Sequence, residues 1–338
     1  MKKPKVTICT VHFSAAGGYD LKPHIEPFFA SLKAQTYEHV EIFCLDNAST
    51  DEAAKAMLSK IPGVTTMFLP ANRGTCAYNA IFPLATGEYF WIATMDTRYE
   101  PDFLEKLVAE AERHPDGGSF GGALLSLRAG KERAVVDSLG TSINRWQSVW
   151  DRDQGKEYVA SNYAPVEDVF GLSGATVLFR RKALQDIALA NGDIWDETYF
   201  MYYEDVDVSF RLQWQGWKAY VVHSARGFHV RTLVEKHVRG GKIVRVLLGR
   251  FGKSDFYKFY ANRNKILLLL RNWNPDFSFG VHLRTCLELI GRLAFVLLFE
   301  PASRRGVLEA WRLRRTIEQP TYRPHRKIAA ERVEHFMR

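Results

Sequence analysis

Five carboxylates fall within twelve positions in Asp196-Glu197-Thr198-Tyr199-Phe200-Met201-Tyr202-Tyr203-Glu204-Asp205-Val206-Asp207, with Trp195 before them and Arg211 after. Acids at a helix start complement the helix dipole, which accounts for one or two of them. Five, interleaved with aromatic rings, exceed what a cap requires. Desolvation by Tyr and Phe neighbours and mutual repulsion raise a carboxyl pKa, and a carboxylate poised in that way suits general-base catalysis.

Two further acidic elements close apolar runs. Asp46-Asn47-Ala48-Ser49-Thr50-Asp51 follows the run Val40 to Leu45. Such residues make Asx turns and helix N-caps, and they also make a polar edge able to bind a nucleotide base or ribose. Asp96 ends Trp91-Ile92-Ala93-Thr94-Met95-Asp96. A carboxylate at a strand end can hold a hard cation that binds a diphosphate in turn. His229, in Ala225-Arg226-Gly227-Phe228-His229, follows the last strand-like run on the same expected side and is a candidate metal ligand.

These residues need a frame that brings distant strand ends together. Strand patterns are expected over Val6–Phe13, Val40–Leu45, Val64–Leu69, Tyr89–Ala93, Gly171–Arg180 and Lys218–Val222. Helical patterns lie over Pro27–Gln35, Ala53–Ser59, Thr75–Leu84, Lys182–Leu189 and Tyr203–Gln215, the last stopped by Gly216. Alternation of this kind predicts an α/β fold with a mostly parallel sheet flanked by helices, and ligands bind beyond the carboxyl ends of such strands. Residues 117–169, rich in glycine and mixed strands, are expected to build an acceptor side. After a basic stretch at Arg239-Gly240-Gly241-Lys242 the pattern turns helical, over Asp255–Arg271 and Phe279–Leu298. The expected division is a catalytic unit over 1–235 and a basic helical region over 236–338.

Composition excludes several classes. Of 338 residues, 46% are hydrophobic and 25% charged, a profile of a packed globular chain rather than a disordered, collagenous or coiled-coil one. The longest apolar runs are about eight residues against the roughly 20 a membrane span needs. No signal peptide is evident, and the four cysteines show no paired spacing. Buried reduced thiols and a cytosolic location are therefore expected. The net charge of +8 is uneven: residues 221–338 hold 24 Lys and Arg against 9 Asp and Glu. A basic end suggests an anionic partner. Leu283, Leu287, Ile290, Leu293 and Leu297 form a helical stripe that would rest on an anionic membrane surface, on the catalytic body or on a second copy in a homo-oligomer.

In order and spacing, these elements resemble family 2 of the inverting glycosyltransferases, which have the GT-A fold. Asp46-Asn47-Ala48-Ser49-Thr50-Asp51, then Asn72-Arg73-Gly74 with Asn79, Ala85-Thr86-Gly87-Glu88-Tyr89, Thr94-Met95-Asp96, the acidic run through Arg211, His229 and Arg263-Asn264 match the family pattern across about residues 4 to 272. The resemblance implies a nucleotide-sugar donor bound by Asp46, Asn47, Asn72, Asn79 and Asp96. It implies Mg²⁺ or Mn²⁺ held by Asp96 and His229. Asp205 would be the base, assisted by Glu204 and Asp207, with Trp195, Tyr203 and Asp207 toward the acceptor. Thr94 stands where the family carries a first metal-motif acid, so the chain supplies fewer charges to the cation.

The implied activity is transfer of a sugar, with dTDP-rhamnose as the first donor candidate and UDP-hexose or UDP-galactofuranose as runner-up. The acceptor would be a glycan or a lipid-linked glycan in surface polysaccharide synthesis, and the enzyme would sit in the cytoplasm, peripheral on the inner face of the cell membrane. A competing class is an inactive GT-A scaffold that binds nucleotide-sugar without transfer. Nucleic-acid binding is not expected, because charge is its only support and no recognition motif accompanies it.

Overall fold

The computed structural model describes residues 3–15, 20–128, 131–230, 253–314 and 326–337. The basic stretch Arg239–Lys242 and the boundary expected near residue 235 lie outside them. The strands are β1 (Val6–His12), β2 (Val40–Asp46), β3 (Thr65–Phe68), β4 (Tyr89–Ala93), β5 (Thr97–Tyr99), β6 (Gly117–Arg128), β7 (Lys131–Ser138), β8 (Thr141–Ile143), β9 (Val149–Asp151), β10 (Val166–Val169), β11 (Thr176–Arg180) and β12 (Lys218–His229). The helices are α1 (Ile25–Lys33), α2 (Glu52–Leu58), α3 (Phe103–Arg113), α4 (Arg181–Asp186), α5 (Glu204–Trp214), α6 (Asp255–Arg271), α7 (Phe279–Phe299), α8 (Pro301–Leu313) and α9 (Arg326–Phe336).

One sheet runs in the order β10-β12-β6-β11-β4-β1-β2-β3, with β5 on β12 and β7 on β6. The β4-β1-β2-β3 portion is parallel, as expected from strand–helix alternation. β11 enters antiparallel between β4 and β6. The register sets ligand groups side by side: His12 lies opposite Asp46, and Thr97, next to Asp96, lies opposite His229. Two apolar layers cover the faces of the sheet. One gathers Ile8, Phe28, Trp91 and Phe103, the other Phe90, Phe179, Trp195 and Leu212.

The C-terminal helices share a third core with the catalytic unit, where Tyr199, Phe210 and Trp214 meet Leu267, Leu268, Val281 and Val333. α6 therefore forms a wall of the α5 region.

Several local readings shift. The helix expected over Thr75–Leu84 is a 3₁₀ segment, Gly74–Ala80, because the Asn79 side chain is spent on holding another loop. The strand expected over Gly171–Arg180 begins only at Thr176, leaving Gly174 in a loop whose N–H bonds Asp205. The last strand is longer than its apolar run and carries His229 within it.

Candidate active site

The acidic turn is built against local preference. Phe200, Tyr202 and Tyr203 all have left-handed φ, of 59°, 70° and 71°. For bulky side chains each such residue costs roughly 1–3 kcal/mol, so surrounding contacts must impose the shape. α6 supplies them. Asn264 Nδ2 donates to the carbonyls of Tyr199 at 2.8 Å, Met201 at 2.7 Å and Tyr202 at 2.8 Å. Arg263 donates to the carbonyls of Thr198 and Tyr199 and pairs with Glu309. Phe200 stacks on Tyr260, and Tyr202 packs edge-on against Tyr257.

The turn is also stitched to residues 72–75. Thr75 N–H donates to the Phe200 carbonyl at 2.8 Å. Gly74 has φ +60°, and a Cβ there would lie 1.8 Å from that carbonyl, so only glycine permits the approach. Asn47 fixes the same turn: its Nδ2 donates to Asn72 Oδ1 at 3.0 Å and to the Gly74 carbonyl at 2.9 Å, and its Oδ1 accepts from Arg73 N–H at 2.9 Å. Asn79 is buried, joining the Trp195 carbonyl and the N–H groups of Ile194 and Trp195. Asn47 and Asn79 thus shape the crevice through backbone, while Asn72 stays exposed at its edge.

The five acids separate by partner. Arg271 joins Asp196 to Asp207, and Asp207 also takes Arg211 at 2.8 Å and Asn272 at 3.2 Å. Burial would raise the Asp207 carboxyl, but Arg271 and Arg211 outweigh it and hold the group ionised below its usual range. Asp207, expected to face the acceptor, is fully buried and anchors the frame from inside. Trp195, expected to touch acceptor, is 2% exposed and packs among Tyr78, Phe90 and Phe179. Glu197 pairs with Arg73.

Glu204 and Asp205 have no cation partner among the described residues. Asp205 Oδ2 accepts from Gly174 N–H at 3.0 Å, and Oδ1 from its neighbour Val206 N–H at 2.8 Å. Burial raises the Asp205 carboxyl against those bonds. Burial and the adjacent Asp205 charge push Glu204 up to about 8, and its Oε2 has no hydrogen-bond partner. Both expected causes act on Glu204, desolvation first and repulsion by Asp205 second. Tyr203, half-buried, sits at the N-cap and turns the chain into α5.

Two other clusters face the ends of the strands. Asp46 is enclosed; its Oδ1 accepts from Ser49 N–H at 3.0 Å, while Oδ2 lacks a partner, as do the buried Thr10 Oγ1 and His12 Nε2. Orphaned buried polar atoms at neighbouring strand ends call for a hydrogen-bonding ligand. Across the sheet, Asp96 Oδ2 and His229 Nε2 lie 3.2 Å apart, and His229 Nδ1 is held by Asp137 Oδ2 at 2.8 Å. Burial works against a charged His229, but the two carboxylates prevail and push it up to about 10. Burial likewise opposes ionised Asp96, yet His229 keeps that carboxyl low. Asp137, on β7, carries no motif in the sequence; the β6–β7 hairpin alone brings it to His229.

Among the described residues no group of three or more His, Cys, Asp or Glu is arranged to hold a metal. With the Nε2 proton of His229 displaced, one carboxylate and one imidazole whose Nδ1 is fixed by Asp137 fit a Mg²⁺ or Mn²⁺ ion that takes its other ligands from water and a diphosphate. Thr94 adds no charge; its hydroxyl donates to the Ala175 carbonyl at 3.0 Å.

A mixed sheet with a parallel β4-β1-β2-β3 half, carboxylates at its strand ends and an acidic turn leading into α5 has the architecture of a GT-A glycosyltransferase. The profile described as "Glycosyl transferase family 2" matches residues 19–188, and the chain belongs to that family. It is 29% identical over 238 residues to the N-acetylglucosaminyl-diphospho-decaprenol L-rhamnosyltransferase of Mycobacterium tuberculosis, covering 62% of this chain and 73% of that protein. The fold is similar to that of GalNAc-T7 crystallised with UDP, GalNAc and Mn²⁺, with a TM-score of 0.56, 12% identity and 78% of this chain covered. The chain spans about half of that protein, 51%. S. aureus TarS 1-349 superposes with a TM-score of 0.53 and 13% identity over 98% of this chain and 83% of that one.

Asn264→Ala removes three bonds from a strained turn and should lower the rate of sugar transfer at least about 10²-fold, while the midpoint for nucleotide binding shifts little; stopped-time assays and calorimetry measure the two. Because the Glu204 carboxyl is raised from 4.5 to about 8, its contribution to stability is complete below pH 4.5 and is lost as pH rises toward 8. Glu204→Gln should therefore raise Tm more at pH 8 than at pH 5, which differential scanning fluorimetry across that range checks.

Proposed function

We propose that the chain is an inverting rhamnosyltransferase that moves the sugar of dTDP-rhamnose to a hydroxyl of a lipid-linked glycan. It would act in surface polysaccharide synthesis, peripherally at the inner face of the cell membrane. The observation that carries the reading is Asp205: a buried-side carboxylate at a helix start, raised, without a cation, held by Gly174. The sugar and the acceptor class rest on the rhamnosyltransferase that the chain resembles, whose name gives N-acetylglucosaminyl-diphospho-decaprenol as its acceptor. The proposed division is a catalytic unit over 1–235, completed by the helices of the basic region over 236–338.

In the proposed reaction the acceptor oxygen forms a bond to the anomeric carbon as the carbon–oxygen bond to the diphosphate breaks. The hydroxyl proton passes to Asp205, and one in-line displacement inverts the anomeric centre. Glu204, protonated near neutral pH, keeps a second charge away from Asp205. Asp46, with Thr10 and His12, offers the unsatisfied polar atoms that would meet the base or ribose. Asp96 and His229 would hold a divalent cation, which supplies charge stabilisation to the leaving diphosphate. Asp137 keeps the His229 ring turned so that Nε2 faces Asp96.

Nucleotide-sugars should raise Tm selectively. A bound ligand at about a hundred times its Kd stabilises by about 2.7 kcal/mol, so dTDP-rhamnose with Mn²⁺ should shift Tm by several degrees and UDP-hexoses by less. EDTA and Asp96→Ala should each abolish most of that shift, and radiolabel transfer to a polyprenyl-diphosphate glycan should follow the same order. An equal shift with EDTA would remove Asp96 and His229 from the metal role; donor binding without any transfer would make the chain a scaffold.

A further inference from the structure

α7 buries Val281, Thr285 and Val296 but leaves its longer apolar stripe exposed. Its inner side carries Thr285, whose hydroxyl accepts from Gln147 Nε2 at 2.8 Å, and Arg292, which donates to Asn262 at 3.0 Å and pairs with Glu288 at 2.5 Å. Its outer side carries Phe279, Leu283, Leu287, Ile290, Leu297 and Leu298, spaced along one helical face. Phe279 is 79% exposed, Ile290 64% and Leu298 70%. A helix facing water presents charge outward and buries its apolar stripe. Here the stripe faces out over a helix about 30 Å long. α8 extends the surface with exposed Leu308 and Trp311. Among the described residues the stripe does not rest on the catalytic body, one of the three placements the sequence allows.

Charge selects among the remaining occupants. Every acid of α7 and α8 is withdrawn or paired: Glu288 with Arg292, Glu309 with Arg263, and buried Glu300 with Asn262 and Ser303. Arg304, Arg305 and Arg312 remain exposed, with no ion pair among the described residues. Uncompensated cations beside an apolar stripe oppose the pairing of two copies and suit anionic headgroups, where each Arg near the surface contributes about 1 kcal/mol.

We propose that the outer face of α7 and α8 docks the enzyme on an anionic lipid surface, with the stripe entering the acyl boundary and the α8 arginines among the headgroups. The docked face lies one helix from the chemistry. Gly306 of α8 packs against Phe259 and Arg263 of α6, and α6 in turn holds the acidic turn through Arg263 and Asn264. Such docking serves the lipid-linked acceptor and rests on the proposed function for its purpose alone.

Cys286 stands exposed on the same face, whereas Cys9, Cys44 and Cys76 are buried, so it takes a fluorophore selectively. The labelled full chain should float with phosphatidylcholine vesicles containing phosphatidylglycerol at low salt, with a blue-shifted emission quenched by lipid-borne spin labels. Ile290→Glu with Leu298→Glu should weaken partitioning roughly tenfold or more, and Arg304→Glu with Arg305→Glu roughly fivefold per position. These exposed substitutions should leave Tm and donor-induced stabilisation unchanged. No vesicle binding at low salt, or binding that neither variant weakens, overturns the proposal. A dimer in sedimentation that Ile290→Glu dissociates, without vesicle binding, assigns the face to a second copy. Failure of the donor to stabilise the wild-type chain would count against the proposed donor and leave the vesicle result standing.

Discussion

The site depends on one constraint: a turn that the chain does not favour is held by carbonyl bonds from a distant helix. Three bulky residues of the turn occupy the left-handed region, and Asn264 answers the carbonyls of three residues within it. Each hydrogen bond contributes about 1 kcal/mol net, which offsets much of the strain only because all are made together. The consequence is positional. Glu204 and Asp205 begin α5 at a fixed height above the Gly74 turn, which leaves no room for any side chain larger than hydrogen.

Electrostatics then divides the acids. Arg271 and Arg211 neutralise Asp196 and Asp207 inside the fold, where breaking a buried pair typically costs about 3–5 kcal/mol. Among the described residues Glu204 and Asp205 receive no such partner. Burial keeps them prone to protonation, the condition a base needs before it can accept a proton near neutral pH. The same run of sequence thus supplies both the mortar of the α5–α6 contact and the carboxylates proposed to react. At the ends of β4 and β12, the carboxylate–imidazole–carboxylate chain of Asp96, His229 and Asp137 shows a similar division, with Asp137 fixing the ring and Asp96 facing its other nitrogen.

Much of this frame was legible because it depends on local pattern. The apolar runs at Val6, Val40 and Tyr89 became β1, β2 and β4, and Asp46 and Asp96 fell at their ends as expected. The acidic run falls in the turn that leads into α5. Its division did not show, since the deciding partners Arg271 and Asn272 lie more than sixty positions away and carry no motif. Asp137 was hidden for the same reason. Trp195 and Asp207 read as acceptor contacts because they neighbour reactive residues in sequence, whereas a turn of helix or loop aims them into the core. The stripe on α7 was visible as a period of three to four, but periodicity cannot say which way a face points; the polar anchors Thr285 and Arg292 decide that.

The central claim is that Asp205, placed by the clamped turn, takes the proton of the acceptor. Single-turnover transfer by Asp205→Asn, with donor affinity measured on the same preparation, tests it most directly. The account expects transfer to fall roughly 10²- to 10⁴-fold with donor affinity unchanged, because the amide keeps the shape and the Gly174 contact but cannot accept the proton. Transfer at near wild-type rate in that variant would contradict the assignment and leave the base elsewhere in the crevice.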